Sequence, residues 1–187
     1  MNKVNRLIIQ ELKENTDINT VDMKNYELRE MLPDDIHRVL DIFRQGIESG
    51  MATFQTTVPT AEAWDMEYHN DCRWILENES QEIVGWCALK PVSKRDCYQG
   101  VAEISIYFDN NYQRKGLGSV LLKKLILDSE DHGFWTLQAN VFLDNQASVK
   151  FHQKNGFRIV GVREKLAKLN GIWKDVILLE RRSSVIN

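Results

Sequence analysis

The residues with the most chemical content in this sequence are grouped in one stretch, Gln113-Arg114-Lys115-Gly116-Leu117-Gly118-Ser119. It follows a run rich in β-branched and aromatic residues, Val101 to Phe108. It precedes a run in which Leu117, Val120, Leu121, Leu122, Leu125 and Ile126 recur at helical spacing. The stretch therefore reads as a strand-to-helix loop with two glycines where the helix opens. A helix start leaves backbone N–H groups without internal partners, and the helix dipole adds partial positive charge there. Glycine lets a ligand come close to the backbone, and Arg114 and Lys115 add full charges. The chemistry this supports is the holding of a phosphate or pyrophosphate. A Walker A loop is excluded, because Gly118 is followed by Ser119 and Val120 rather than by Lys and then Ser or Thr. A dinucleotide fingerprint needs three glycines, and only two are present here. Taken alone, the pattern also fits a helix start with a solvated basic pair.

The rest of the chain bounds what this loop can belong to. A length of 187 residues supports one domain with a single sizeable core. At 43% apolar and 27% charged residues, the composition is that of an ordinary soluble domain. A net charge of -3 gives no support to nucleic-acid binding, and the local basic clusters suit a small anion better than a polyanion. The three cysteines, Cys72, Cys87 and Cys97, are odd in number and lack C-x-x-C spacing. That argues against a disulfide framework and against a metal site, and the expectation is of reduced thiols in a cytoplasmic protein. No apolar run reaches the length of a membrane span, and Met1 to Thr16 mixes charges in a way no signal peptide does.

The elements that must position the loop follow in order. Residues 1–25 read as an extension, with Val4, Leu7, Ile8 and Leu12 on one face of a short amphipathic helix from Asn2 to Glu14 and a polar linker after it. The domain spans 26–182, and 183–187 is a tail. A strand at Tyr26 to Met31 leads to a helix opened by Pro33, with Ile36, Val39, Leu40, Phe43 and Ile47 as its apolar stripe. Thr60 can cap a second helix. Arg73 to Glu77 and Ile83 to Leu89 flank a polar turn and read as a hairpin. After the glycine loop and its helix come a strand from Phe134 to Phe142 and a helix from Asp144-Asn145 to Asn155-Gly156. Two strands then flank Asn170-Gly171, a strong two-residue turn. The order β-α-α-β-β-β-α-β-α-β-β predicts a mixed α/β domain on one sheet.

Five spaced segments carry a resemblance. They are Ala52-Thr53-Phe54, Glu103 to Phe108, Gln113 to Gly118, Asp144 to Ser148 with His152 and Gly156-Phe157, and Asn170 to Val176. With the element order, they are similar to the GNAT acyltransferase superfamily, and within it to the phosphinothricin N-acetyltransferase family. The resemblance implies a single mixed sheet, flanked by helices and splayed at the cofactor site, and acetyl-CoA as donor. It places the pyrophosphate on the N–H groups of Gln113, Arg114, Lys115, Gly116, Leu117, Gly118 and Ser119. It runs the pantetheine arm beside Ile106, Tyr107 and Phe108, with Asn145 and Ser148 in reach and a backbone N–H near Phe108 as oxyanion donor. Asn145 could equally only cap its helix.

The resemblance makes Glu103 the general base for the acceptor amine, against the alternative of a strand-end surface carboxylate. His152 stands where many members have a tyrosine. It could protonate the leaving thiolate, relay the amine proton, or be a helix-surface histidine. The acceptor residues implied are Phe54, Arg95 and Tyr98. The family's Gly-Pro-Phe-Arg before the second arginine is here Lys90-Pro91-Val92-Ser93, and Gln99 stands after Tyr98 in place of arginine. One expected arginine is kept and two are missing. His37, His69 and His132 are expected at the surface. The function expected is acetylation of a small amino acid or analogue by direct attack in a ternary complex, by a homodimer. Acetylation of protein N-termini or another amine, and a non-catalytic acyl-CoA sensor, are the alternatives.

Overall fold

The computed structural model describes residues 23–186. The amphipathic helix expected at Asn2 to Glu14 lies outside them. Seven strands form one sheet: β1 (Tyr26–Glu30), β2 (Trp74–Asn78), β3 (Ile83–Pro91), β4 (Val101–Phe108), β5 (Thr136–Phe142), β6 (Arg158–Leu169) and β7 (Ile172–Arg182). The helices are α1 (Ile36–Glu48), α2 (Ala61–Glu67), α3 (Leu117–Asp131) and α4 (Gln146–Lys154). Spatial order is β1-β2-β3-β4-β5-β7-β6, and β4–β5 is the one parallel pair in an otherwise antiparallel sheet.

Local chemistry accounts for the boundaries. Thr60 caps α2 by accepting from the Ala63 N–H at 3.2 Å. Gly133 closes α3 in the left-handed conformation, and its N–H donates to the Glu130 carbonyl at 3.1 Å. Asn170 and Gly171 both have positive φ, as a tight turn between two long strands requires. The extension is shorter than expected at its inner end, because Met23–Asn25 forms a 3-10 turn and Met23 is buried in the core. β6 is longer than its expected end at Val162. Pairing with β7 carries it through the charged segment that follows, at the cost of two irregularities in register.

Both faces of the sheet are covered. Leu117, Val120, Leu121, Leu122 and Leu125 of α3 pack on Val84, Cys87 and Leu89 of β3. On the opposite face, Val39, Leu40, Ile42 and Phe43 of α1, with Trp64 of α2, pack on Ile83, Trp86 and Ala88 of the same strand. β3 therefore reads as a nearly continuous apolar run, because alternate residues feed two cores. At about 25 cal/mol per Å² of apolar surface removed from water, these two clusters supply the main favourable term for folding.

One buried carboxylate ties the end of β4 to α1. Asp109 accepts from Arg38 Nη2 and Gln45 Nε2, both at 2.9 Å, and from the Asn111 N–H at 2.9 Å. Burial alone would raise its pKa. The Gln45 amide, the Asn111 N–H and the Arg38 guanidinium outweigh it and hold the group below its ordinary value. Its contribution is therefore complete at neutral pH and is lost as pH falls through the folded-state pKa. Asp109→Ala is expected to cost about 2–4 kcal/mol, because the donors around it lose their acceptor. In urea unfolding, the difference between wild type and Asp109→Asn is expected to shrink below about pH 4. A difference that stays constant with pH would refute the assignment.

Candidate active site

The sheet forks at its centre. β4 and β5 pair at Val101↔Thr136, Ala102↔Leu137 and Glu103↔Gln138, and the pairing stops there. Beyond that point each strand stays bound on its far side, β4 to β3 out to Phe108↔Gly85 and β5 to β7 out to Phe142↔Val176. The two arms diverge and enclose a pocket of about 380 Å³. Its walls are Ile104 to Tyr107 and Ala139 to Phe142. Met51 to Gln55, from the loop between α1 and α2, close one side. Asn145, Ser148 and His152 of α4 approach from another. The edge of β4 from Ile104 onward has no strand partner on the pocket side, so its backbone polar groups are open to water or to a ligand.

Glu103 sits in the crotch of the fork. Its Oε2 accepts from Asn140 Nδ2 at 3.0 Å. Burial pushes its pKa up, and the Asn140 amide, Lys90 and Arg163 only partly oppose that. Lys90 is opposite Glu103 in the β3–β4 register, but its ammonium is bound to Glu67 at 2.6 Å and lies 4.6 Å over the Tyr68 ring. Tyr68 in turn donates to Ser105 Oγ at 3.2 Å. Beneath this polar group is an aromatic cluster. Tyr68 stacks on Trp64 at 4.4 Å, and Trp86 stacks on Tyr107 at 5.0 Å. Burial raises the pKa of both tyrosines, so they stay protonated and give the carboxylate a firm floor.

His152 is 4% exposed and faces the pocket. Its Nδ1–H donates to the Ser148 carbonyl at 2.7 Å. Burial lowers its pKa, with the Ser148 carbonyl partly opposing. The ring is therefore neutral near pH 7, with its lone pair on Nε2. Such a ring accepts a proton and has none to deliver from Nε2, which favours relay over protonation of a leaving thiolate. Asn145 does cap α4, accepting from the Ser148 N–H at 3.1 Å, and its Nδ2 donates to the Met51 carbonyl at 3.1 Å. It thereby ties the α1–α2 loop to the pocket wall. Phe54 lines the pocket and packs edge-on against Phe142 at 4.7 Å.

At the outer end of the fork, α3 opens on Gly116, which is left-handed with φ +80° and has no side-chain cap. A left-handed residue followed by right-handed Leu117 turns successive N–H groups toward one concavity. Arg114 is also left-handed, at φ +61°. Gln113, Arg114 and Lys115 are exposed. Leu117 is buried in the core, so it can offer a ligand only its backbone. The Phe108 ring is partly buried and lies where a Cβ on Gly85 would be. A Cβ on Gly118 would stand 3.1 Å from the Phe151 ring, so this glycine lets α3 and α4 approach closely. Ser119 Oγ accepts from Asn155 Nδ2 at 3.2 Å across the same contact.

Arg95 and Tyr98 lie apart from these residues. Neither lines the pocket. The segment Asp96–Tyr98 forms a 3-10 turn between β3 and β4, which holds Arg95 and Tyr98 on the surface with the guanidinium 5.5 Å from the tyrosine ring. Asn140, Arg163 and Leu166 went unread in the sequence, as did the pairing of Lys90 with Glu67. Asn140 had a signal, since Gln138 and Asn140 alternate with apolar Leu137, Ala139 and Val141. Arg163 and Leu166 had none, because a register irregularity in β6 places them.

Comparison with known proteins is consistent with this geometry. The pattern of the acetyltransferase (GNAT) family matches residues 36–157, more than half of the chain. A Bacillus subtilis (strain 168) protein that carries a provisional phosphinothricin acetyltransferase name is 31% identical over 155 residues, 80% of this chain and 94% of its own. The phosphinothricin N-acetyltransferase of Streptomyces viridochromogenes is 29% identical over 158 residues, 83% of this chain and 86% of its own. The fold is shared with a GNAT superfamily phosphinothricin acetyltransferase of Sinorhizobium meliloti solved with AcCoA. The TM-score is 0.78 at 22% identity, over 84% of this chain and 88% of that one.

The two histidine environments can be checked in one titration. His132 is raised by its hydrogen bond to the Asp128 backbone carbonyl and by nearby carboxylates, whereas His152 is lowered by burial. In an NMR pH titration, His132 is expected to ionise above the ordinary histidine value and His152 below it. The reverse order would overturn the neutral His152.

Proposed function

The chain belongs to the acetyltransferase (GNAT) family and is an acetyl-CoA-dependent N-acetyltransferase, and from that premise we propose that its acceptor is the amine of a small amino acid or analogue, of the phosphinothricin or methionine sulfoximine type. The observation that carries this reading is Glu103, a carboxylate with a raised pKa at the crotch of a pocket of about 380 Å³. Relatives named for such acceptors support it. They include an L-methionine sulfoximine/L-methionine sulfone acetyltransferase of Pseudomonas paraeruginosa, 26% identical over 106 residues.

In this reading the donor's pyrophosphate lies on the open N–H groups from Gln113 to Ser119, and its amide-bearing arm runs along the unpaired edge of β4 at Ile106 to Phe108. The left-handed start at Gly116 suits close approach of the donor. The acceptor enters as an ammonium ion. Glu103 takes one proton from it, directly or through a water, and a raised pKa suits that exchange. The neutral amine attacks the thioester carbonyl. A C–N bond forms and a C–S bond breaks, with a backbone N–H near Phe108 holding the oxyanion. The attacking nitrogen loses its second proton to water by way of His152 Nε2, and the thiolate leaves as a weak base and takes a proton from water. His152, with Nε2 free to accept, serves proton relay. Homodimerisation is part of the same proposal and is supported by the exposed apolar residues Ile159, Val160 and Val162 of edge strand β6 and Ile172 and Trp173 of β7.

A thiol-release assay with acetyl-CoA and a panel of amines, including phosphinothricin and methionine sulfoximine, tests the acceptor. Turnover confined to peptide N-termini would favour the protein-acetylating alternative. Tight acetyl-CoA binding without turnover on any amine would favour the sensor. In the same assay, Glu103→Gln is expected to lower kcat about 100-fold or more at neutral pH and less at high pH, where the amine is already neutral. An unchanged rate at neutral pH would remove Glu103 as base. Gly116→Asp places a negative charge in the cradle and a side chain on a left-handed residue, at about 1–2 kcal/mol of stability. It is expected to fold and to bind CoA about 100-fold more weakly by calorimetry, and retained affinity would refute the cradle.

A further inference from the structure

The acceptor side of the pocket contains a built irregularity. In the β6–β7 pair, register runs to Arg163↔Val176 and resumes at Ala167↔Lys174. Glu164, Lys165 and Leu166 thus stand against Asp175 alone. Lys165 is left-handed at φ +47°, and its N–H donates to Asp175 Oδ1 at 2.7 Å. A side-chain acceptor therefore replaces the ladder bond that the bulge removes. Bulges of this kind re-aim side chains next to sites. Here Arg163 and Leu166, on either side of Lys165, line the pocket together with buried Val176.

The pocket's other cation is engaged elsewhere. Lys90 is bound to Glu67. Arg95, the residue expected to grip an acceptor carboxylate, lies outside. Among the described residues, Arg163 has no carboxylate within ion-pair distance, yet its charge reaches Glu103 across the pocket. A base and an uncommitted guanidinium therefore face one small cavity. An α-amino acid carries an ammonium and a carboxylate on one carbon, which matches that pair. We infer that Arg163, paired with Val176 at the start of the β6 bulge, binds the α-carboxylate of the acceptor and makes the enzyme selective for free amino acids over carboxyl-blocked ones.

This rests on the amino-acid reading of the function. A guanidinium offers a two-pronged fork to a carboxylate, and a lysine offers only a point charge. The test compares methionine sulfoximine with its methyl ester, or the same pair for whichever amino acid the panel favours, in wild type, Arg163→Leu and Arg163→Lys. Arg163→Leu is expected to raise KM for the free acid about 10- to 100-fold with kcat within about twofold, and the loss is confined to the free acid. Arg163→Lys is expected to recover only part of it. Thermal melts check that both variants fold. Equal losses on acid and ester, or no loss on either, would overturn the role of Arg163 while leaving the acceptor class intact. Failure of the wild type to acetylate any free amino acid would instead overturn the acceptor reading and this inference with it.

Discussion

The divergence of two strands that cannot close governs the rest of the molecule. β4 is held to β3 by seven register pairs and β5 to β7 by seven, while β4 and β5 share only three. Neither arm can swing to meet the other without breaking a ladder on its far side. A sheet interrupted at its centre exposes backbone donors and acceptors that must find partners in water or in a bound molecule. A molecule with its own amides is the natural partner. Every functional side chain is placed relative to this fork: Glu103 in its crotch, His152 and Asn145 over one arm, and the opening of α3 at its mouth.

Two cores keep the fork in shape, one on each face of the sheet. The leucine-rich face of α3 packs on β3 and fixes where the helix starts at the mouth of the fork. The aromatic group of Phe43, Trp64, Tyr68, Trp86 and Tyr107 packs on the opposite face, beneath the β3 and β4 arm. Two polar contacts join the fork to the elements around it. Asp109 binds α1 to the end of β4, and Asn145 binds the α1–α2 loop to α4. Such contacts matter less for gross stability than for geometry, because a catalytic constellation is sensitive to displacements of about 1 Å.

Much of this was legible in the residues themselves. The element order follows from apolar periodicity and from strong punctuation at Pro33, Thr60, Gly133 and Asn170-Gly171, where local chemistry and tertiary structure agree. Glu103, Phe54 and His152 were identifiable because matched segments carry them, and all three meet in the pocket. Arg95 lies outside the pocket lining, because a sequence match places a residue along the chain but not the loop in space. The Leu117 side chain is buried and the Phe108 ring is partly buried against the core, a difference between backbone and side chain that the sequence does not show. Arg163 was hidden for a sharper reason. Strand periodicity assigns faces by counting in twos, and a bulge resets the count in a way that depends on the partner strand.

That bulge also bears on how such an enzyme diversifies. Three residues of β6 stand against one of β7, so chain length there is already uncoupled from the ladder. β7 draws its register from β5 on its other side. Insertions or deletions within Glu164 to Leu166 can therefore alter the pocket wall at Arg163 and Leu166 without shifting β4 and β5. β6 lies at the edge of the sheet, where no further strand transmits the change inward. The molecule thus separates an element that must stay constant from one free to drift, and a lineage could explore new acceptors by small length changes at this single edge.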